Sequence, residues 1–297
     1  MSLPDVLRQV RRLEISSRGL VKNVLAGEYS SVFKGRGVEF ADVRPYVPGD
    51  DIRTLDWRTT ARTGEPYVRR YAEERERTVL FLVDQSASGG FGTEMRTKSE
   101  LATEVCAVLA FTAVRNNDRV GAAFFSDRVE RYVPPARGQR HALRVIRELL
   151  TFRPEGTLTD IAAALEFTAR VLRRRSIVFI LSDWLDSGYE KALEMVARRH
   201  DTIAVALTDV RDGAMSAAGL VSLRDPESGA WRYVDSSRAE VREALSRMSG
   251  AREAAFERSI RRHGADLISL RTGESYVAPL HAFFRMRERM RGPMRRH

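Results

Sequence analysis

The chain has 297 residues, 43% of them hydrophobic and 30% charged, enough apolar material for one large core or a core with an appended module. Its net charge of +10 comes almost wholly from arginine, since only Lys22, Lys34, Lys98 and Lys191 are lysines. A single cysteine excludes an internal disulfide framework, no apolar run approaches the length of a membrane span, and the N-terminus lacks the apolar stretch of a signal peptide, so a cytoplasmic protein is expected.

Along the chain, residues 1–77 open with a short amphipathic stretch and continue as text broken by Gly and Pro, GRGVEFADVRPYVPGDDIRTLDWRTTARTGEPYVRRY, which predicts turns and short strands. From Thr78 the pattern changes. TVLFLVD is a fully apolar strand, KSELATEVCAVLAFTAVRNN an amphipathic helix that buries Cys106, and RVGAAFFS with VERYVPP a strand pair turning at Asp127-Arg128. HALRVIRELLTF and DIAAALEFTARVLRRR are predicted helices around a loop, SIVFILSD a second buried strand, GYEKALEMVARRH a helix and DTIAVALTD a third strand. GLVSLRD and WRYVD, separated by PESGA, predict a hairpin. A long helix over about Arg238–His263 leads to the strand ADLISLRT and a last helix from about Val277.

Continuous apolar strands alternating with amphipathic helices predict an α/β fold: a mostly parallel sheet with helices on both faces. The expected organisation is an N-terminal extension, 1–77, packed on an α/β domain, 78–297. Basic residues cluster in Arg69–Arg77, where glutamates answer them, and in the tail RMRERMRGPMRRH, where they mostly do not. No zinc-finger, RNP or basic-zipper pattern accompanies them, and nucleic acid is not an expected partner.

Open α/β sheets bind ligands beyond the carboxyl ends of their strands. Those ends here read Asp84-Gln85-Ser86-Ala87-Ser88, Ser182-Asp183 and Asp209, and the loop PEGTLTDIAAAL brings Thr157, Thr159 and Asp160 to a helix start. Three readings compete at LFLVDQSASGG: a nucleophile, a metal cradle and an ordinary capped turn. A nucleophile elbow needs G-x-S-x-G, and neither serine has it. The five histidines sit in helical or tail contexts, no GxGxxG or Walker A sequence occurs, and one cysteine without paired histidines argues against zinc. Alternate oxygen-bearing side chains that converge where a strand breaks into a Gly-Gly turn suit a hard divalent cation. Asp160 before AAAL is by itself an ordinary helix cap.

The triplet Asp84-x-Ser86-x-Ser88, with Thr157 and Asp183, resembles the metal-ion-dependent adhesion site of von Willebrand factor A-type domains. The stretch from Gly35 to Arg62 and its continuation to VLFLVDQSAS, with NNDRVGAAFFSDRV, IVFILSDWLD and RRHDTIAVALTD, resembles the family called domain of unknown function 58. That resemblance covers nearly the whole chain and implies a von Willebrand A-like (Rossmann-like) fold, with Mg²⁺, or Mn²⁺ or Ca²⁺, held by Asp84, Ser86, Ser88, Thr157 and Asp183, and Thr159 and Asp160 behind them. It also implies a MoxR-type AAA+ ATPase as partner, acting with the protein on a client. Hydroxyl ligands leave such a cation electrophilic toward a partner's carboxylate, a recognition device rather than a catalyst. A metal-dependent phosphoester hydrolase using the same oxygens is the alternative. Departures from the family pattern are Gly89 where a methionine is common, and DVRDGAMSAAG where an acidic, proline-containing stretch is common. Asp50, Asp51, Arg53, Asp56, Trp57 and Arg62 in the upstream signature serve either as fasteners of that segment to the core or as a docking surface.

Overall fold

A computed structural model describes residues 3–20, 26–33, 38–73, 76–90, 96–209, 212, 217–224 and 231–291. The loop after Gly90, most of the 209–219 loop, the PESGA turn and the last six residues of the basic tail lie outside the described residues. The chain forms two compact units, Met1–Val32 with Arg77–His297, and Phe33–Glu76.

In the larger unit a six-stranded sheet has the order β10-β7-β6-β3-β4-β5. Its strands are β3 (Thr78–Asp84), β4 (Arg119–Phe125), β5 (Val129–Ala136), β6 (Ile177–Ser182), β7 (Asp201–Thr208) and β10 (Asp266–Arg271). All pairs are parallel except β4 with β5, the hairpin that Asp127-Arg128 closes. The central strands are covered on both faces, which is why they read as unbroken apolar runs: Val79 to Val83 of β3 and Val178 to Leu181 of β6 are all fully buried. Side-chain alternation sends Leu80, Leu82, Val178 and Ile180 to a cluster with α6 (Ile161–Val171), α7 (Glu190–Arg199) and Ile260 of α8 (Ala239–Arg262). Helix α4 (Lys98–Arg115) packs along β3, β4 and β7, with α1 (Leu3–Leu20) and α5 (Gln139–Thr151) against it. Phe81 and Phe179 stack across β3 and β6 at 5.5 Å between centroids.

Helix α1 lies on α4 and α5, and the buried Tyr29 hydroxyl of α2 (Ala26–Phe33) donates to Asp118 Oδ2 at 2.7 Å. Helix α9 (Val277–Arg291) closes the β10 edge. A second two-stranded sheet pairs β8 (Leu220–Arg224) with β9 (Trp231–Asp235), the predicted hairpin. No helix among the described residues is long and apolar enough to cross a membrane.

The smaller unit is the signature segment. Strands β1 (Val38–Pro45) and β2 (Tyr67–Glu73) pair antiparallel and flank a one-turn 3₁₀ helix and the short α3 (Trp57–Thr63).

His200, at the turn into β7, is buried, and its Nδ1 accepts the Ser176 N–H at 3.3 Å. Burial, aided by the positive charges of Arg199 and Arg175, holds its imidazole down to about 4. The unfolded imidazole takes a proton near 6.5, so over the window from 6.5 down to 4 the unfolded chain binds more protons. His200 therefore contributes stability that is complete above pH 6.5 and falls away toward pH 4, by about 3 kcal/mol in total. Urea unfolding at pH 7 and pH 4.5 is expected to show this loss in the wild type and a shallower one in His200→Asn.

Candidate functional site

The site grows from the end of β3. At Asp84 the strand meets a turn in which Ser86 N–H donates to Asp84 Oδ1 at 2.9 Å, and the chain then tightens into a 3₁₀ turn over Ala87–Gly90. That turn folds the two serines together: Ser86 Oγ and Ser88 Oγ are 3.0 Å apart and both residues are buried. The neighbouring strand β6 ends beside it, where Ser182 Oγ donates to Asp84 Oδ2 at 2.6 Å. Both Asp84 oxygens thus have fixed donors, and the carboxylate is pinned rather than free to rotate. Burial nevertheless pushes Asp84 up to about 6, against the pull of the Ser182 and Ser86 hydrogen bonds and with the push of the nearby Asp183 charge. Two carboxylates held close in a dry place call for a cation.

Asp183 is held by an unusual backbone. The next residue, Trp184, has φ 56°, a left-handed conformation that is costly for a bulky side chain. Packing holds it there. Its ring is buried against Tyr189 (5.2 Å between centroids) and Phe256 (5.4 Å), the indole N–H donates to the Val205 carbonyl, and its backbone N–H donates to Ser182 Oγ at 3.1 Å. Ser182 Oγ therefore links the Asp84 carboxylate to the bend that presents Asp183.

Asp84, Ser88, Lys98, Ser182 and Asp183 line a narrow pocket at these strand ends. Lys98 is the member that sequence reasoning missed. It is the first residue of α4, directly after the Thr97 N-cap with its reciprocal Glu100 bond, and it is buried with its ammonium 3.4 Å from Asp183 Oδ2 and 3.0 Å from Asp212 Oδ2. Asp212 belongs to the loop after β7, where it also accepts the Asp209 N–H at 2.8 Å. Asp209, the third strand-end carboxylate, is buried and receives the Thr272 hydroxyl.

The second loop approaches through its backbone. Thr157 O accepts the Ala87 N–H at 3.2 Å, which sets the loop against the serine turn, while the Thr157 side chain itself is exposed and is not among those lining the pocket. Thr159 is half-buried, and Asp160 is the α6 N-cap, its Oδ1 accepting Ala163 N–H at 2.7 Å. Gly156 lets this loop come close: a Cβ there would lie 2.4 Å from Ser126 Oγ and 2.5 Å from Asp127 Oδ1. Gly156→Ala is expected to push the Thr157 loop off the serine turn and cost about 1–3 kcal/mol, read by thermal unfolding.

The structure thus brings Asp84, Ser86, Ser88 and Asp183 to one place and Thr157 to its rim. All are oxygen donors, and the set fits a hard divalent cation. Among the described residues no group of three or more His, Cys, Asp or Glu gathers for a metal, so any cation here relies on hydroxyls beside two carboxylates.

In the smaller unit Asp50 takes a bidentate pair from Arg44 at 2.6 and 2.7 Å and also accepts Val47 N–H. Asp56 caps α3 through Thr59 N–H and pairs with Arg69 Nε at 2.9 Å, and Asp51 accepts Arg53 N–H. These carboxylates shape the segment itself. Arg53, Arg62 and Trp57 are exposed, Trp57 at 68%.

The model of the family described as "Protein of unknown function DUF58" matches residues 42–255, most of the chain. The chain belongs to the DUF58 family. The uncharacterized protein Rv1480 of Mycobacterium tuberculosis (strain H37Rv) is 34% identical to this DUF58 chain over 289 residues, 96% of this chain and 91% of that protein. The uncharacterized protein YeaD of Bacillus subtilis is 27% identical over 109 residues, 37% of this chain and 25% of its own length. Among solved structures, an aerotolerance-related membrane protein from Bacteroides fragilis covers 72% of this chain and 99% of its own with a TM-score of 0.50 and 15% identity, a likeness of fold alone. The BatB protein of Bacteroides thetaiotaomicron covers 73% of this chain and 100% of its own with a TM-score of 0.48 and 16% identity. The DUF58 chain has the α/β architecture with a mostly parallel sheet that its sequence led one to expect.

Proposed function

We propose that this DUF58 protein is a non-enzymatic, divalent-cation-dependent protein-interaction module whose partner is a MoxR-type AAA+ ATPase. The observation that carries the reading is the pairing of two neutral hydroxyls, Ser88 at the pocket and Ser86 3.0 Å behind it, with the carboxylates of Asp84 and Asp183, whose side chains are buried there. Asp84, Ser86, Ser88 and Asp183 would hold Mg²⁺, with the Thr157 loop set against the serine turn by its backbone. Bound there, Mg²⁺ supplies Lewis acidity toward an incoming oxygen donor. Ser86 and Ser88 contribute no charge, Ser182 fixes the Asp84 carboxylate, and the Trp184 bend fixes Asp183, so the site is set to accept an acidic side chain from outside. Turnover needs a base at the pocket. Asp84 and Asp183, the carboxylates that line it, are committed to the ion in this reading, and Asp160 serves as a helix cap. The ATPase is the partner that the family resemblance implies.

The test is capture of a purified MoxR-type AAA+ ATPase by the purified protein, with Mg²⁺ and with chelator. Capture is expected with Mg²⁺ and is expected to disappear on chelation or in Asp183→Ala. Capture indifferent to both treatments overturns the cation mechanism. Phosphoesterase turnover by the wild type that vanishes in Asp84→Ala supports the hydrolase instead.

A further inference from the structure

Lys98 is a costly residue where it stands. A lysine in the first turn of a helix opposes the helix dipole, and burial penalises its charge. The fold nonetheless caps α4 with a full capping box at Thr97 and Glu100, which places Lys98 at the pocket with its side chain 5% exposed. Its ammonium spans two carboxylates of different character. Asp183, 4% exposed at the side chain, is a proposed cation ligand, whereas Asp212, 35% exposed, comes from the loop after β7 and is held by the Asp209 N–H. The longer distance is to Asp183, 3.4 Å against 3.0 Å, so the ammonium has a nearer partner that does not belong to the proposed ligand set.

We propose that Lys98 is a tethered monovalent cation that shares Asp183 with the divalent ion: its ammonium neutralises Asp183 in the metal-free protein and retreats to Asp212 when Asp183 becomes a ligand. This rests on the cation reading of the pocket and adds to it a built-in competitor that sets the affinity. Weak occupancy at rest and tighter occupancy when a partner adds its own carboxylate follow from that competition, because the ammonium must give up Asp183 before the ion gains it. Asp212 makes the exchange possible, since it gives the buried ammonium a carboxylate to keep when Asp183 becomes a ligand.

The experiment is a Mn²⁺ titration of the full chain, following free Mn²⁺ by electron paramagnetic resonance, for wild type, Lys98→Met and the control Lys191→Met. Lys191 is an exposed lysine of α7, and its replacement makes the same change in net charge. Lys98→Met is expected to tighten binding by about 10-fold or more, while Lys191→Met stays within about twofold of the wild type. In parallel, the wild type labelled at lysine Cε is titrated with Mg²⁺ and observed by NMR. With only four lysines in the chain the Lys98 signal is assignable, and it is expected to shift with saturation. Saturable binding that Lys98→Met leaves unchanged, or a Lys98 signal that does not move as Mg²⁺ saturates, overturns the tethered cation and leaves the metal reading intact. Binding seen only in Lys98→Met overturns the metal reading of the wild type and with it the sharing of Asp183. Binding in neither protein overturns both. The NMR arm needs no variant, so it decides even where Lys98→Met does not fold.

Discussion

Asp84→Ala is expected to reduce divalent-cation affinity by about 100-fold or more and to abolish cation-dependent partner capture, while the folded protein survives. Asp84 is the hub of the pocket, with one oxygen receiving Ser182 Oγ and the other the Ser86 N–H. Its removal takes away a proposed ligand and also frees the groups that orient Ser86 and Asp183. The stability cost is offset in part, because the carboxylate is itself unhappy in the dry pocket, where burial raises it to about 6. Calorimetric titration with Mg²⁺ or Mn²⁺, beside a circular-dichroism melt, separates the two effects. A variant that melts like the wild type yet fails to bind places the loss at the site. A variant that binds as well as the wild type removes Asp84 from the ligand set.

Arg287→Ala has the opposite signature, a large stability loss with the site intact. Arg287 of α9 reaches Asp201 Oδ1 at 2.5 Å and Asp266 Oδ2 at 3.0 Å, while its guanidinium lies 5.5 Å from the centre of the Phe283 ring. Arg287 and Asp201 are 12% and 10% exposed, and both aspartates open parallel strands, β7 and β10, at the sheet edge remote from the strand ends that carry the pocket. Taking one partner from such a buried pair costs about 3–5 kcal/mol. By contrast, the exposed Arg238–Glu240 pair, at 62% and 85%, is worth less than about 1 kcal/mol. For a chain of this size the Arg287 loss corresponds to a melting-temperature drop of roughly 10 °C. Differential scanning calorimetry of Arg287→Ala and Arg238→Ala measures the contrast, and Mn²⁺ affinity is expected to be equal in both.

What was legible in the sequence and what was not divides along physical lines. Val79–Val83 and Ile177–Leu181 announce buried parallel strands because a strand covered on both faces has no polar side to alternate with. Asp84, Ser86 and Ser88 could be picked out because a local turn brings alternate residues together, and their convergence needs no knowledge of the rest of the chain. Asp160 was readable as a cap for the same reason. Lys98 was not readable as a pocket residue. It lies 85 positions from Asp183, and nothing in the string RTKSE distinguishes a lysine turned into the protein from one on a solvated helix end. Asp212 lies in the loop after β7, and the string DVRDGAMSAAG carries no pattern that marks one aspartate as a lysine's partner. Trp184 sits in the quoted string IVFILSDWLD, but its positive φ is a property of the backbone that only its packing against Tyr189 and Phe256 reveals. Thr157 shows the limit of motif matching, since its loop meets the serine turn through a backbone bond from Ala87 while the residue itself is exposed.

Asp84, Ser86, Ser88 and Asp183 are proposed to bind a divalent cation through hydroxyls as well as carboxylates. Equilibrium Mn²⁺ binding to the wild type and to the double variant Ser86→Ala/Ser88→Ala tests it most directly, because the double variant keeps both carboxylates and removes only the hydroxyls. One saturable ion per wild-type chain, lost or weakened by about 100-fold in the double variant, is the predicted result. Equal binding by the two proteins, or no saturable binding by either, contradicts it.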